Sequence, residues 1–175
     1  MISCIPRLRR LAVTLVVLAV ASGASTSMSA NAGTVLITGA NRGIGLEFVR
    51  HYADAGYTVI ATARNPSTAD DLNSLAAANK SIHVEELDVN DFAEIDGLAE
   101  KYQGTAIDVL VNNAGITGRP ERQRFGTIDY ATFASVMSTN AQGPLKITEA
   151  FTAHVASSDE KKVAVVTSSE GSIAG

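Results

Sequence analysis

Cysteine is almost absent. The single one, Cys4, lies near the N-terminus, so neither a disulfide framework nor a thiolate metal site can be built. Histidine is scarce too: His51, His83 and His154 show no ligand spacing, and each reads as a surface or core residue. There is no basic run beyond residue 32. The chain holds 14 Lys and Arg against 18 Asp and Glu, a formal charge of −4. Arg7, Arg9 and Arg10 fall in the first 32 residues, which contain no acid, so the body is more acidic still. Such a surface is poorly suited to a phosphate backbone, which sets nucleic acid aside as a partner. A hydrophobic share of 46% with 14 glycines argues against a disordered chain, and 175 residues suffice for one domain with a core.

The opening segment is a different kind of sequence. Arg7, Arg9 and Arg10 precede the apolar run Leu11–Ala21, and small and polar residues follow up to Ala30-Asn31-Ala32. A basic start, an apolar stretch and an A-x-A-like exit are the parts of a secretory signal. The run is short for a membrane span, which needs about 20 apolar residues. Residues 1–32 are therefore expected to be a leader and 33–175 the folded domain, with no membrane span left once the leader is removed. Arg9-Arg10 points weakly to the twin-arginine route, which carries proteins already folded. The alternative is a translation start at Met28, which would leave the protein in the cytoplasm.

From residue 34 the pattern alternates. Thr34–Ile37 is a short apolar, β-branched run ending at Gly39, as a buried parallel strand should. Ile44, Phe48, Val49, Tyr52 and Ala55 recur at helical spacing, with Gly56 as the stop. Thr58–Ala61 is the second strand. Asn65-Pro66 is expected to open a second helix buried through Ala69, Leu72, Leu75 and Ala76. Ile82–Leu87 is strand three. Asp91 and Glu94 resemble a capping box for a helix buried through Phe92, Ile95, Leu98 and Tyr102. Ile107–Val111 is strand four, a long helical region covers Tyr130–Val155, and Val163–Val166 is strand five. Strands separated by single crossover helices must be parallel. The fold class is α/β, a doubly wound parallel sheet.

Strand one runs directly into Thr38-Gly-Ala-Asn-Arg-Gly-Ile-Gly45, which opens the first helix. Glycines at 39, 43 and 45 permit a tight turn and close approach of backbone to a pyrophosphate, which the helix N-terminus attracts. Between a strand and a helix at the start of a βαβ unit, this pattern points to dinucleotide binding.

The spacing Thr-Gly-x-x-x-Gly-x-Gly resembles the short-chain dehydrogenase/reductase family. Three further segments match in order: Leu87-Asp88-Val89, Asn112-Asn113-Ala114-Gly115 and Thr139-Asn140-Ala141. The glycine turn and Gly171-Ser172-Ile173 look most like the C-factor-like carbonyl reductases. The resemblance implies cofactor contacts from Gly39, Asn41, Arg42, Gly43, Ile44 and Gly45, from Asp88 and Val89, and from Asn113, Ala114 and Gly115. Charge addresses the choice of cofactor. An acid ending strand two would bind an NAD ribose and repel a 2′-phosphate. The sequence instead reads Ala61-Thr62-Ala63-Arg64, with Arg42 in the glycine turn. Two guanidinium groups suit a doubly charged phosphate, so NADP(H) is expected over NAD(H).

For catalysis the resemblance implies Asn140 as the residue whose carbonyl helps hold a proton-relay water. It implies Ser168 as the hydrogen-bond donor to a small-molecule carbonyl or alcohol substrate, with Ser169 as the runner-up. The family's general acid is a Tyr with a Lys four residues later, which lowers its pKa. Tyr52, Tyr57, Tyr102 and Tyr130 are followed at that spacing by Gly56, Ala61, Ala106 and Ala134, and none is Lys. The family's Tyr would fall beyond Gly175, so the resemblance covers roughly the first two-thirds of a member, through strand five. The expected function is NADP(H)-dependent oxidoreduction, with these residues alone inactive. The alternative is a non-catalytic nucleotide-binding or signalling protein. A full-length member leaves room for homo-oligomers.

Overall fold

The computed structural model describes residues 32–119, 121 and 123–168. Five strands, β1 (Thr34–Ile37), β2 (Thr58–Ala63), β3 (Ile82–Glu86), β4 (Val109–Asn112) and β5 (Lys162–Val165), form one sheet in the order β3-β2-β1-β4-β5. Every pairing is parallel, with Val35 beside both Val59 and Val109. The order reverses direction between β1 and β4, and a crevice opens at the carboxyl ends of strands at such a switch.

Alternate strand residues face opposite sides, and each side has its own helical layer. Val35, Ile37, Val59 and Ala61 pack with Leu46 and Val49 of α1 (Gly43–Asp54) and Leu72 of α2 (Asp70–Ala78). Leu36, Ile60 and Leu110 pack with Ile95 and Leu98 of α3 (Phe92–Lys101) and Ile147 and Phe151 of α5 (Gly143–Ala156). The inner strands are therefore mainly apolar on both faces, with Thr62 and Asn112 as buried polar exceptions near their carboxyl ends. β5 is the edge strand among the described residues, and all four of its residues are exposed.

Several local expectations differ. Pro66 begins a separate 3-10 turn (Pro66–Thr68), and α2 starts only at Asp70. Ser67 and Thr68 donate their hydroxyls to Asn65, which favours a tight local turn over a continuous helix. Ile44 is 61% exposed and does not join the core, because the first turn of α1 overhangs open space. Phe92, the first residue of α3, is likewise exposed, and the buried stripe begins at Ile95. Asp91 caps α3 by accepting from the Ala93 and Glu94 amides. Glu94 accepts instead from the amide of Asp88, since the Asp91 amide already donates to the Asp88 carbonyl. The long helical region is α4 (Tyr130–Met137) and α5 joined by a π turn over Ser138–Gln142.

Candidate functional site

The carboxyl ends of β1, β2, β3 and β4 converge on the crevice, and the glycine turn lies across it. Thr38, buried at the end of β1, holds the turn against β4. Its hydroxyl accepts from the amides of Asn113 and Ala114, both at 3.0 Å. The Asn113 side-chain amide donates to the carbonyls of Thr38 (2.9 Å) and Gly39 (3.0 Å). A side chain at Gly39, with φ at +64°, would place its Cβ 2.8 Å from the Ala114 Cα. At Gly45 a Cβ would collide with the Gly39 carbonyl and lie 2.5 Å from Asn113 Nδ2. These two glycines are required by the protein's own packing.

Gly43 is different. Its φ is +56°, which favours glycine, yet a Cβ there would meet nothing within 4 Å. It opens α1, whose first turn carries no acid and whose N-cap, Arg42, makes no side-chain cap hydrogen bond. The helix N-terminus thus presents amides and a partial positive charge to open space. Arg42 and Arg64, the latter directly after β2, are exposed, and neither is in an ion pair among the described residues. No carboxylate ends β2. Asn41 is half-buried within the turn.

Asp88 and Val89 lie just past β3. The Asp88 carboxylate accepts from the backbone and side-chain amides of Asn90, at 2.9 and 3.0 Å. Asn90 in turn accepts from the Ser138 hydroxyl (2.8 Å) and donates to that of Thr139 (3.2 Å). Val89 is buried, and Gly143 allows this loop to approach α5, since a Cβ there would lie 2.8 Å from the Val89 carbonyl oxygen. Asn140 sits in the π turn. Its side chain clamps Ile116 reciprocally, accepting from the Ile116 amide (2.9 Å) and donating to its carbonyl (2.7 Å). Gly115 passes close by: a Cβ there would be 3.4 Å from Asn140 Oδ1.

The structure thus brings together the glycine turn, Asn113, Ala114, Gly115 and Asn140, and links Asp88 to the π turn through Asn90. Ser168 is exposed and lies three residues past β5, while Ser169 and Gly171-Ser172-Ile173 are outside the described residues. Beside Gly115 is an open cavity of about 490 Å³, lined by Arg42, Ile116, Thr117, Arg119 and Ser135 among others. The sequence reading gave Thr38 no role beyond its place in the glycine motif, and it missed Asn90, Ile116 and Gly143. Asp-x-Asn at 88–90 is a turn signal that pointed to Asn90, and a glycine within a helical pattern pointed to Gly143. Among the described residues no His, Cys, Asp and Glu cluster suits a metal, and no helix is long and apolar enough to cross a membrane.

A family model described as short chain dehydrogenase matches residues 33–175. The (+)-neomenthol dehydrogenase of Arabidopsis thaliana is 34% identical over 160 residues, covering 79% of this chain and 54% of that protein. A carbonyl reductase from Pseudomonas aeruginosa PAO1 matches with a TM-score of 0.73 at 33% identity, over 81% of this chain and 64% of that one. The NADPH-bound carbonyl reductase from chicken fatty liver matches with a TM-score of 0.72 at 32% identity, over 81% and 61%. The chain spans about half the length of the curated relatives it matches. With a glycine turn, a parallel sheet and an Asn-bearing π turn in the matching order, the chain belongs to the short-chain dehydrogenase family.

Proposed function

We propose that this chain forms the NADP(H)-binding part of a carbonyl reductase or alcohol dehydrogenase acting on a small-molecule substrate. The observation that carries the reading is the end of α1: an uncapped N-terminus over open space at Gly43, with Arg42 and Arg64 unpaired and no carboxylate after β2. Those features fit a dinucleotide with a 2′-phosphate and disfavour a bare ribose, which an acid would hold. The solved carbonyl reductase from chicken fatty liver, similar over most of this chain, has NADPH bound.

Bound NADPH would supply hydride. The chain's own residues supply the rest of what these 175 positions contain. The α1 amides and the glycine turn seat the pyrophosphate, while Arg42 and Arg64 neutralise the 2′-phosphate. Asn113, through Thr38 and Gly39, keeps the turn in place. Asn140 fixes the loop beside the reacting end through its two hydrogen bonds to Ile116. Ser168 offers a hydroxyl to the substrate oxygen. No Tyr-x-x-x-Lys pair occurs in the sequence, so these residues provide binding and orientation without a general acid. That lack favours a second reading of these residues by themselves, as a module that binds the nucleotide without turning it over. The leader-like pattern of residues 1–32 favours export of the protein, with a start at Met28 in the cytoplasm as the alternative. Fluorescence titration with NADPH tests the proposal: saturable binding displaced by NADP⁺ supports it, and no binding refutes it.

A further inference from the structure

The cations divide into paired and unpaired, and Lys80 and Lys161 are exposed and in no ion pair among the described residues. Lys101, Lys146 and Lys162 each pair with a carboxylate, as does Arg50 on α1. Arg42, Arg64, Arg119 and Arg124 are exposed and pair with none among the described residues. Two of these four, Arg42 from the glycine turn and Arg119 from the loop after β4, line the same open cavity, and no carboxylate lines it. Its hydroxyl side chains are already committed as donors. Thr117 donates to the Gly118 carbonyl, Thr132 to Asp129 and Ser135 to the Ala131 carbonyl. With Arg42 given to the cofactor, the side-chain donor left in this lining for a substrate is the Arg119 guanidinium.

The loop that carries Arg119 is built in place. Asn140 clamps Ile116, and Gln123 donates to the Thr117 carbonyl at 2.6 Å. Gly118, at φ +67°, packs so closely that a Cβ would lie 2.5 Å from Gln123 Nε2 and 2.8 Å from Val136. The cavity therefore adjoins Asn140 through Gly115 and Ile116.

We propose that this cavity is an oxyanion site for the substrate, in which Arg119 holds a carboxylate, sulfonate or phosphate group of a carbonyl compound while Arg42 serves the cofactor. The inference rests on the reading of the chain as part of a carbonyl reductase, and narrows the substrate class to anionic aldehydes and ketones. A planar guanidinium binds such groups through two parallel hydrogen bonds. On an acidic protein, unpaired arginines at one rim also concentrate anions there.

A cofactor phosphate would satisfy the same chemistry, so the test has two arms. Pyruvate and its neutral methyl ester are titrated into the 175-residue chain by saturation-transfer NMR at low salt, with and without NADP⁺. NADP⁺ is titrated separately. Pyruvate should bind more tightly than the ester. Arg119→Gln should weaken pyruvate roughly tenfold, the loss expected for one charge-assisted contact, and Arg119→Lys should recover much of it. NADP⁺ affinity should be unchanged in both variants. Equal binding of pyruvate and ester, or no effect of Arg119→Gln on pyruvate, overturns the inference even where NADP⁺ binds well. So does Arg119→Gln weakening NADP⁺ in place of pyruvate, which assigns the cavity to the cofactor. A chain that holds pyruvate through Arg119 but binds no NADP⁺ upholds the site and refutes the cofactor reading.

Discussion

Replacing Gly43 and Gly45 by alanine separates the two duties of the glycine turn. At Gly45 the new methyl collides with the Gly39 carbonyl and crowds Asn113 Nδ2, whose hydrogen bonds to Thr38 and Gly39 tie the turn to β4. Overpacking costs about 1–3 kcal/mol and each displaced hydrogen bond about 0.5–1.5 kcal/mol, so Gly45→Ala should destabilise by about 2–6 kcal/mol. That is a large part of a typical total of about 5–15 kcal/mol. At Gly43 nothing in the protein obstructs a methyl, and only the left-handed backbone at +56° is penalised. The cost there is about 1–2 kcal/mol, a fall of about 2–8 °C in unfolding temperature. Nucleotide binding reverses the ranking of surprise. The Gly43 methyl occupies the space in front of the α1 amides, and losing one charge-assisted phosphate contact lowers affinity roughly tenfold to a hundredfold. Circular dichroism melting without nucleotide, followed by calorimetric titration with NADP⁺, reads both effects. Gly43→Ala with undiminished NADP⁺ affinity, or Gly45→Ala melting with the unmutated chain, would refute this reasoning.

Three other outcomes are expected. Tyr57 donates to Glu160, and this bond, together with partial burial, pushes its pKa up from 10.0 to about 12. The folded state therefore holds that proton more tightly than the unfolded one, so the contribution is complete below pH 10 and is lost as pH rises towards 12. Denaturant titrations between those values should show a steeper fall for the unmutated chain than for Tyr57→Phe, and identical slopes would exclude the linkage. Mass spectrometry of the native protein should find the run Leu11–Ala21 removed, most simply after Ala32 or a neighbouring alanine, whereas an N-terminus at Met28 or Ser29 in cytoplasmic protein would show an internal start. A polypeptide of these 175 residues should not oxidise NADPH with a panel of aldehydes and ketones, because a missing general acid alone costs about 10²–10⁴-fold. Turnover comparable to that of a longer version containing Tyr-x-x-x-Lys would contradict that assignment.

The strands were legible because their residues answer to two helical layers at once. Thr34–Ile37 is apolar at every central position, and a run so short and β-branched has few other uses. The turn after it was legible for a similar reason, since three glycines at that spacing serve either packing or open space. Periodicity failed where helices extend past the sheet: Ile44 and Phe92 keep the helical rhythm but have no layer to meet. It also could not show the π turn at Ser138–Gln142, since one widened turn inside 27 helical positions barely shifts the pattern. The clamp between Asn140 and Ile116 joins residues 24 apart in sequence, and Asn90 reaches Thr139 across 49. Pairings of that range are created by the fold and leave no local trace. Nothing in the sequence singles out Arg119, which the structure places with Arg42 in the lining of one cavity.

The central claim is that this crevice holds a dinucleotide with a 2′-phosphate. Calorimetric titration of the purified chain with NADP⁺ and NAD⁺, repeated for Arg64→Asp, tests it most directly. The unmutated chain should bind NADP⁺ more tightly, by roughly tenfold to a hundredfold, and the variant should reverse the order. Equal affinity for the two nucleotides in the unmutated chain, or binding of neither, would contradict it.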